Sequence, residues 1–242
     1  MAASRRDRPT PAAVHPSIAG REAEMARLVA VVRRLVELTV TNQAAAAELE
    51  RVAEDLELVA DRFADHAAEG PPVITWMDSG GIDGQMPDAM ADRMAFDVVI
   101  GPYSPLALPV VLAFEPPRAI GRATFTAPYE GPPGCIHGAV IAATFDIMLT
   151  AANILVDAAG PTVRLATRFR RPTLLHEEAV FEAWVDRREG DRTYTQGRLL
   201  QRGVVTVEAE GTFAAIDPRR IGQLSRSRAD PRPDDAWGEH HR

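Results

Sequence analysis

The sequence predicts an α+β protein in which an antiparallel sheet packs along one long apolar helix. Three observations lead to this prediction: two strand-like segments precede the helix, four follow it, and nearly the whole helix surface is apolar. At 1.5 Å per residue the helix is about 27 Å long, and strands of about ten residues span a similar length. A curved antiparallel sheet could therefore wrap the helix almost from end to end.

The bulk composition is that of an ordinary globular protein, with 46% hydrophobic and 25% charged residues. The net charge of −7 provides no basic field to gather nucleic acid, so no nucleic-acid partner is expected. Cys135 is the only cysteine, which excludes an internal disulfide. The first residues are rich in Arg and Pro without an apolar segment behind them, so no signal peptide and a cytoplasmic location are expected.

Residues 1–16 are polar and are expected to form a disordered tail. A helical extension is predicted over residues 17–69. Apolar residues recur there at spacings of three and four, in a first set around Val29 and a second set consisting of Leu49, Val52, Leu56, Val59 and Phe63. The β-branched stretch 39–42 ends in a capping residue and predicts a break, hence a helical hairpin. One long bent helix is the alternative. The many acidic residues of the second helix are typical of a solvated face.

The strand pattern begins after a connector over residues 70–101, which is rich in Gly and Pro and is expected to cross the surface with a short strand near 96–100. Strands are predicted at 110–114 and 122–126, joined by a turn at Pro116-Pro117. The apolar helix follows and is expected to end at Gly160-Pro161. Four more strands are predicted at 163–169, 179–188, 192–201 and 204–216. A flexible tail is expected from 217 to 242.

The apolar run 138–156 approaches membrane-spanning length, but Asp146, Asn153 and two threonines interrupt it. No aromatic or basic flanks anchor it, which favours a helix buried in a soluble fold, without membrane insertion. Asp146 is the one charge between Ala139 and Val156. Burying an ionised carboxylate costs several kcal/mol, so its presence indicates a functional role. A structural carboxylate tied to a neighbouring chain is the alternative.

A motif stands in front of this helix: Tyr129-Glu130-Gly131-Pro132-Pro133-Gly134, two further residues, His137-Gly138, and Asp146 nine positions after the histidine. Upstream lies Ser104-Pro105-Leu106-Ala107-Leu108-Pro109, and downstream lies Arg170-Arg171-Pro172. Together these segments resemble the PaaI-type acyl-CoA thioesterases, which have the hotdog fold. The resemblance covers residues 102–216 and leaves the N-terminal helices as an appendage. It departs from the family at Ala139, where a second glycine is usual.

The resemblance implies hydrolysis of acyl-CoA thioesters. Asp146 would be the nucleophile or general base, and the Gly138 N–H at the helix N-terminus would polarise the thioester carbonyl. His137 would line the site and position the loop, and Thr162 would hold the water or the aspartate. The family also implies a homodimer or a dimer of dimers, with Asp146 facing the His137-Gly138 loop of the other subunit. Each of these four residues also has a purely structural alternative.

Substrate contacts are expected from the loop and from a basic strand. Pro133, Gly134 and Ala139 would line the acyl-CoA site, where the Ala139 methyl could crowd the thioester. Alternation places Arg164, Arg168 and Arg170 on one strand face, and together with Arg171 they could bind the phosphates of coenzyme A. A charged outer face is the alternative reading of these arginines.

No cofactor is expected beyond the coenzyme A of the substrate. His176-Glu177-Glu178 lacks the paired histidines of zinc sites, and no Gly-rich nucleotide loop is present. Cys135 fits a small buried hydrophobe better than a nucleophile. Three rival functions remain: a binding protein that Ala139 keeps from turning over acyl-CoA, a scaffold that recruits a partner through the N-terminal helices, and a dehydratase.

Overall fold

The computed structural model describes residues 18–67, 90–92, 94–158 and 160–214. The predicted tails and most of the predicted connector lie outside these ranges. The helices are α1 (Glu22–Thr41), α2 (Ala46–Ala64) and α3 (Gly138–Ile154), with a 3₁₀ turn at Ala127–Tyr129. The strands are β1 (Val110–Glu115), β2 (Arg118–Thr124), β3 (Thr162–Phe169), β4 (Glu178–Glu189), β5 (Arg192–Gln201) and β6 (Val204–Ala214).

All six strands form one antiparallel sheet in the order β1-β2-β4-β5-β6-β3, so β1 and β3 are its edges. The strands predicted on both sides of the helix are confirmed, with ends that differ by a few residues. Gly190 and Gly203 have φ values of +58° and +76° in the two tight turns that join β4 to β5 and β5 to β6. That left-handed region costs glycine nothing, which is why both hairpins can close so tightly.

Helix α3 packs on one face of the sheet, because alternate residues of the strands point toward it. Along β4, for example, Ala179, Phe181 and Ala183 are fully buried. Phe181 makes edge-to-face contacts with Phe145 of α3 at 5.2 Å and with Phe125 at 6.5 Å between ring centroids. Such pairs add stabilisation beyond the apolar area that they bury. The predicted arrangement of an antiparallel sheet against a long apolar helix is confirmed.

The sheet does not enclose α3 completely. One stripe of the helix remains partly exposed, and its members follow the helical repeat: Ala139, Ala142, Ala143, Asp146 and Thr150. The sheet therefore packs along the helix as expected, but it leaves this side of the helix partly open, although the apolar sequence suggested burial all round. Small side chains and one carboxylate occupy the open stripe, whereas the large apolar side chains of α3 face the sheet.

The strand predicted near 96–100 is also wrong. The carboxylate of Asp97 accepts hydrogen bonds from the backbone N–H groups of Val99 at 2.8 Å and Ile100 at 2.9 Å. Aspartate offers the backbone these local partners in place of a strand ladder, so the segment forms turns. Its apolar residues still contribute to the core, since Val99 and Ile100 are buried together with Met90. The described part of the connector therefore does not run over the surface as expected.

The two predicted N-terminal helices and the break between them are confirmed, which excludes one long bent helix. Helix α1 is attached to the sheet domain by its polar side chains. Arg33 Nη2 donates to the carbonyl oxygens of Ser104 at 2.7 Å and Gly101 at 3.3 Å, and Thr126 Oγ1 donates to a Glu37 carboxylate oxygen at 2.6 Å. By contrast, no residue of α2 is buried. Among the described residues, no helix combines the length and apolarity needed to cross a membrane.

The ring cluster around Phe181 should carry much of the core stability. We expect Phe181→Ala to lower the free energy of unfolding by about 3–5 kcal/mol, because it removes a fully buried ring and leaves a cavity. Urea denaturation at a fixed protein concentration measures the change. Leu106→Ala is the control, since that side chain is 70% exposed and its loss should cost under about 0.5 kcal/mol. Equal effects of the two substitutions would contradict this description of the core.

Candidate active site

The Pro/Gly loop before α3 is held by backbone hydrogen bonds on both sides. The His137 N–H donates to the Tyr129 carbonyl at 2.8 Å, and the Ile136 N–H donates to the Thr173 carbonyl at 2.8 Å. A Cβ atom added to Gly131 would lie 2.8 Å from the His137 Cα, closer than real contacts allow. Gly134 has a φ of +72°, where side chains are strained. The glycines of the motif therefore let the loop close against His137.

His137 is the N-cap residue of α3. Its Nδ1 accepts a hydrogen bond from the Ala139 N–H at 3.0 Å, so this nitrogen is unprotonated in that arrangement. Within the described residues, the Gly138 N–H donates to no acceptor. An unpaired amide at the positive end of a helix is a site for an oxygen that carries or gains negative charge.

Phe169, the last residue of edge strand β3, lies beside Gly138. The ring Cζ of Phe169 is 3.2 Å from the position that a Gly138 Cβ would take. Phe169 pairs with the buried Val207 across the strands, which places its side chain on the face of the sheet that carries α3. With 53% of its surface exposed, Phe169 forms an open apolar wall next to the free amide.

Asp146 lies on the open stripe of α3 and is half-buried. Its Oδ1 accepts a hydrogen bond from Thr162 Oγ1 at 2.8 Å. Thr162 is the first residue of β3. The chain thus brings together two of the predicted site residues, with one oxygen of the carboxylate oriented by a hydroxyl group. For the other oxygen, Oδ2, the described residues provide no hydrogen-bond donor.

Gly138 and Asp146 are too far apart on one copy to act on the same carbonyl group. They are eight residues apart on α3, which corresponds to about 12 Å along the helix axis. A C=O bond is about 1.2 Å long. Adding a hydrogen bond of about 3 Å to its oxygen and an attack distance of about 3–3.5 Å to its carbon gives roughly 7 Å. The backbone positions of Gly138 and Asp146 on one copy are therefore farther apart than the span that one carbonyl group bridges.

The N-terminal extension reaches the same loop, which the sequence did not lead us to expect. Helix α1 packs against the Ala127–Tyr129 turn. Burial raises the pKa of the Tyr129 hydroxyl, while the positive charge of Arg33 opposes this shift and the negative charge of Glu37 adds to it. The sequence contained one indication of this contact. Arg33 and Glu37 follow the buried Val29 at intervals of four and so share its helix face.

The remaining predicted residues lie around the loop or on the sheet. Pro133, Gly134 and Ala139 are exposed at or beside the loop. Arg168 pairs with Glu208 in the sheet register and points to the outer face, opposite α3, as does Arg164.

Arg170 follows the end of β3 and forms an ion pair with Glu208, whose carboxylate accepts from Nε at 2.8 Å. Arg171 is exposed. Cys135 is a half-buried free thiol. The described residues contain no group of three side chains suited to a metal ion.

The cap formed by His137 can be tested by substitution. We expect His137→Ala to lower the free energy of unfolding by about 1 kcal/mol, because the Ala139 N–H loses its acceptor. His137→Asn should retain most of the stability, since an asparagine side-chain oxygen is a good N-cap acceptor. Urea denaturation compares the two variants. An alanine variant as stable as the original chain would show that the observed hydrogen bond does not hold the helix start.

Known proteins of one superfamily resemble this chain in sequence and fold. A model of the thioesterase superfamily matches residues 133–213. A crystal structure described as a thioesterase superfamily protein is 34% identical, covers 78% of this chain and 94% of its own, and has a TM-score of 0.68. Residues 102–242 are 141 of the 242 residues, about 58%, so a match over 78% of the chain also includes part of the N-terminal region.

Two more distant structures also align. The Escherichia coli PaaI protein from the phenylacetic acid degradation operon is 15% identical, with a TM-score of 0.43, over 46% of this chain and 81% of its own. A Streptococcus mutans protein bound to acetyl CoA is 12% identical, with a TM-score of 0.41, over 43% of this chain and 86% of its own. No curated protein matches the chain. The motif, the family match and the 34% identical structure agree, and the chain belongs to the thioesterase superfamily with its hotdog fold.

Proposed function

We propose that this protein hydrolyses acyl-CoA thioesters to a free acid and coenzyme A. The observation that carries the proposal is the half-buried Asp146, oriented by Thr162 at 2.8 Å on the open stripe of a helix whose first amide, at Gly138, is free. Membership of the thioesterase superfamily supports thioester hydrolysis as the reaction class. The loop motif supports coenzyme A as the thiol.

Asp146 can act in either of two ways. Its Oδ2 attacks the acyl carbon to form an anhydride that water then cleaves, or it accepts a proton from a water molecule that attacks the same carbon. In both cases negative charge develops on the carbonyl oxygen, and the Gly138 N–H stabilises it. The C–S bond breaks, the thiolate of coenzyme A leaves and takes up a proton, and one water molecule is consumed. Thr162 positions the carboxylate throughout.

Because Gly138 and Asp146 of one copy are about 12 Å apart, we infer that Asp146 faces the loop of a second copy. Edge strand β3 supports this arrangement, since its outer backbone groups are available for pairing. β3 also exposes two apolar side chains, Val163 at 55% and, on the inner face, Phe169 at 53%. Pairing of β3 with β3 of the second copy covers them and builds two equivalent sites. The assembly is a homodimer, or a dimer of dimers that contains it.

The substrate is proposed to lie along the loop and the end of β3. Pro133, Gly134 and Ala139 border the acyl thioester, next to the apolar ring of Phe169. Arg168, Arg170 and Arg171 supply positive charge for the phosphate groups of coenzyme A. Arg168 points to the outer face of the sheet, and Arg170 would have to exchange its ion pair with Glu208 for a phosphate, so the exposed Arg171 is the strongest candidate of the three.

A second function, binding of acyl-CoA without hydrolysis, is favoured by one observation. Ala139 is exposed on the same stripe as Asp146, at a position where its methyl group can hold the thioester away from the carboxylate. A thiol-release assay on the unmodified chain separates the two functions. Binding of acyl-CoA with no release of free thiol would favour a carrier or a scaffold over an enzyme.

Substitution of the carboxylate tests the catalytic role. We expect Asp146→Asn to lower kcat by at least 10²-fold, because the amide can neither attack the acyl carbon nor accept a proton. Asp157→Asn is the matched control, since this exposed aspartate follows the end of α3 and should leave kcat unchanged. Thiol release measures the rates, and circular dichroism confirms the fold of both variants. Wild-type turnover by Asp146→Asn would exclude the proposed mechanism.

The Gly138 amide can be removed without breaking the helix. Gly138 is the first helical residue, where proline is well tolerated, and His137 has a ψ of 133°, which suits a residue that precedes proline. We expect Gly138→Pro to lower kcat about 10²–10³-fold through loss of the donor. Gly138→Ala brings a Cβ to the same contact with Phe169 but retains the N–H, so it should be clearly more active. Equal losses of kcat in both variants would show that crowding by the added side-chain atoms, and not loss of the N–H donor, lowers the rate.

The same variants test the shared site. Neither Asp146→Asn nor Gly138→Pro should be active alone, but in a mixed dimer one site keeps an intact Asp146 and an intact Gly138 amide. Co-expression should therefore restore up to half of the wild-type activity per mixed dimer. If mixed dimers, purified through two different affinity tags, were no more active than the parent variants, the two groups would not belong to different copies.

A further inference from the structure

Helix α2 carries an apolar stripe that no described part of the chain covers. Its members alternate at spacings of three and four residues, the seven-residue repeat of helices that pair with other helices. They are between 41% and 56% exposed: Leu49, Val52, Leu56, Val59 and Phe63. In proteins most of the stability of a helix comes from packing of its apolar face against other parts of the structure. The stripe therefore indicates a partner that packs against α2.

A column of alanines widens this stripe on one side. The alanines recur at every seventh position: Ala46, Ala53 and Ala60. In the seven-residue repeat they come directly after the position that Val52 and Val59 occupy. Side chains this small allow the backbone of a second helix to approach closely. Leu58, which is 69% exposed, lies on a different face of the helix. Apart from Leu58, the large apolar side chains of α2 thus lie on one side, as a helix–helix interface requires.

We propose that the partner is α2 of a second copy of this chain, packed in the antiparallel direction. The charges on the helix support this choice. It has two arginines, Arg51 and Arg62, and six acidic residues that are concentrated before its last turn: Glu48, Glu50, Glu54, Asp55, Glu57 and Asp61. Parallel packing places the acidic regions side by side, whereas antiparallel packing brings Arg62 toward the acidic part of the second copy. Antiparallel helix dipoles also attract each other.

One register satisfies both the apolar and the charged residues. With Leu56 opposite Val59 of the second copy, Val52 meets Phe63, and each Ala53 meets an Ala60. Asp55 then flanks the apolar seam beside Arg62 of the second copy, where opposite charges favour pairing. No two acidic side chains face each other across the seam in this register. The pairing rests on α2 alone and holds whether or not the chain hydrolyses acyl-CoA.

Disulfide cross-linking of the full-length chain tests the proposal. With Cys135→Ser as background, Ala53→Cys and Ala60→Cys are introduced together. Within one helix these positions are about 10.5 Å apart, beyond the roughly 7 Å that a disulfide can span, so any bond between them joins two copies. On mild oxidation we expect at least tenfold more covalent dimer than from the control pair Ala47→Cys and Glu54→Cys, which lies on the opposite face of α2.

A second pair of variants tests whether the cross-link depends on the apolar stripe of α2. In the Ala53→Cys, Ala60→Cys chain, Leu56→Glu should lower the covalent dimer at least tenfold, because it places a charge in the centre of the seam. Leu58→Glu, two residues away, should leave it unchanged. If the Ala53→Cys, Ala60→Cys chain stayed monomeric on a non-reducing gel, α2 would be covered by its own chain or by another protein and the proposal would be wrong. Equal cross-linking of the control pair would also overturn it.

Discussion

The fixed rise per residue of an α-helix sets the separation of the two candidate catalytic groups in this protein. Helix α3 offers a free amide at Gly138 and a carboxylate at Asp146, and eight residues of regular helix keep them about 12 Å apart. The Asp146 side chain leans toward the start of the helix and covers part of that distance, but the separation of the two backbone positions is fixed by the helix itself. If both groups serve one reaction, two copies of the chain have to associate. The open stripe of α3 and the outer edge of strand β3, beside which the described residues place no further strand, are the surfaces through which they can do so.

The N-terminal extension contacts the same loop that precedes α3. Arg33 and Glu37 fasten α1 to the backbone around Ser104 and to Thr126, on either side of the sheet's first hairpin, and α1 also packs against Tyr129 at the start of the motif loop. The match to the 34% identical thioesterase superfamily protein extends into the N-terminal region as well. The extension is therefore better described as support for the loop than as an appendage. Within it, α1 faces the sheet domain, whereas α2 offers its apolar stripe outward.

Much of this architecture could be predicted because it follows from periodicity. Alternation along β4, β5 and β6 reveals which residues face the helix, and the long apolar run predicts α3. The turns of residues 96–100 could not be predicted in this way, because Val98, Val99 and Ile100 suit a strand and only the reach of the Asp97 carboxylate decides otherwise. The docking of α1 was missed because Arg33 and Glu37 resemble ordinary surface charges. The open face of α3 was missed because alanine suits a buried and a half-exposed position equally well.

A row of aromatic rings crosses the core and determines how the protein responds to heating. Tyr129 of the loop touches Phe125 at 5.5 Å between ring centroids, Phe125 touches Phe181, and Phe181 touches Phe145, the neighbour of Asp146 in the chain. The motif loop and the segment around Asp146 of one copy are thereby joined through the interior and not through a surface loop. Warming that loosens this row must displace both ends at once, so inactivation and melting should coincide in a single thermal transition.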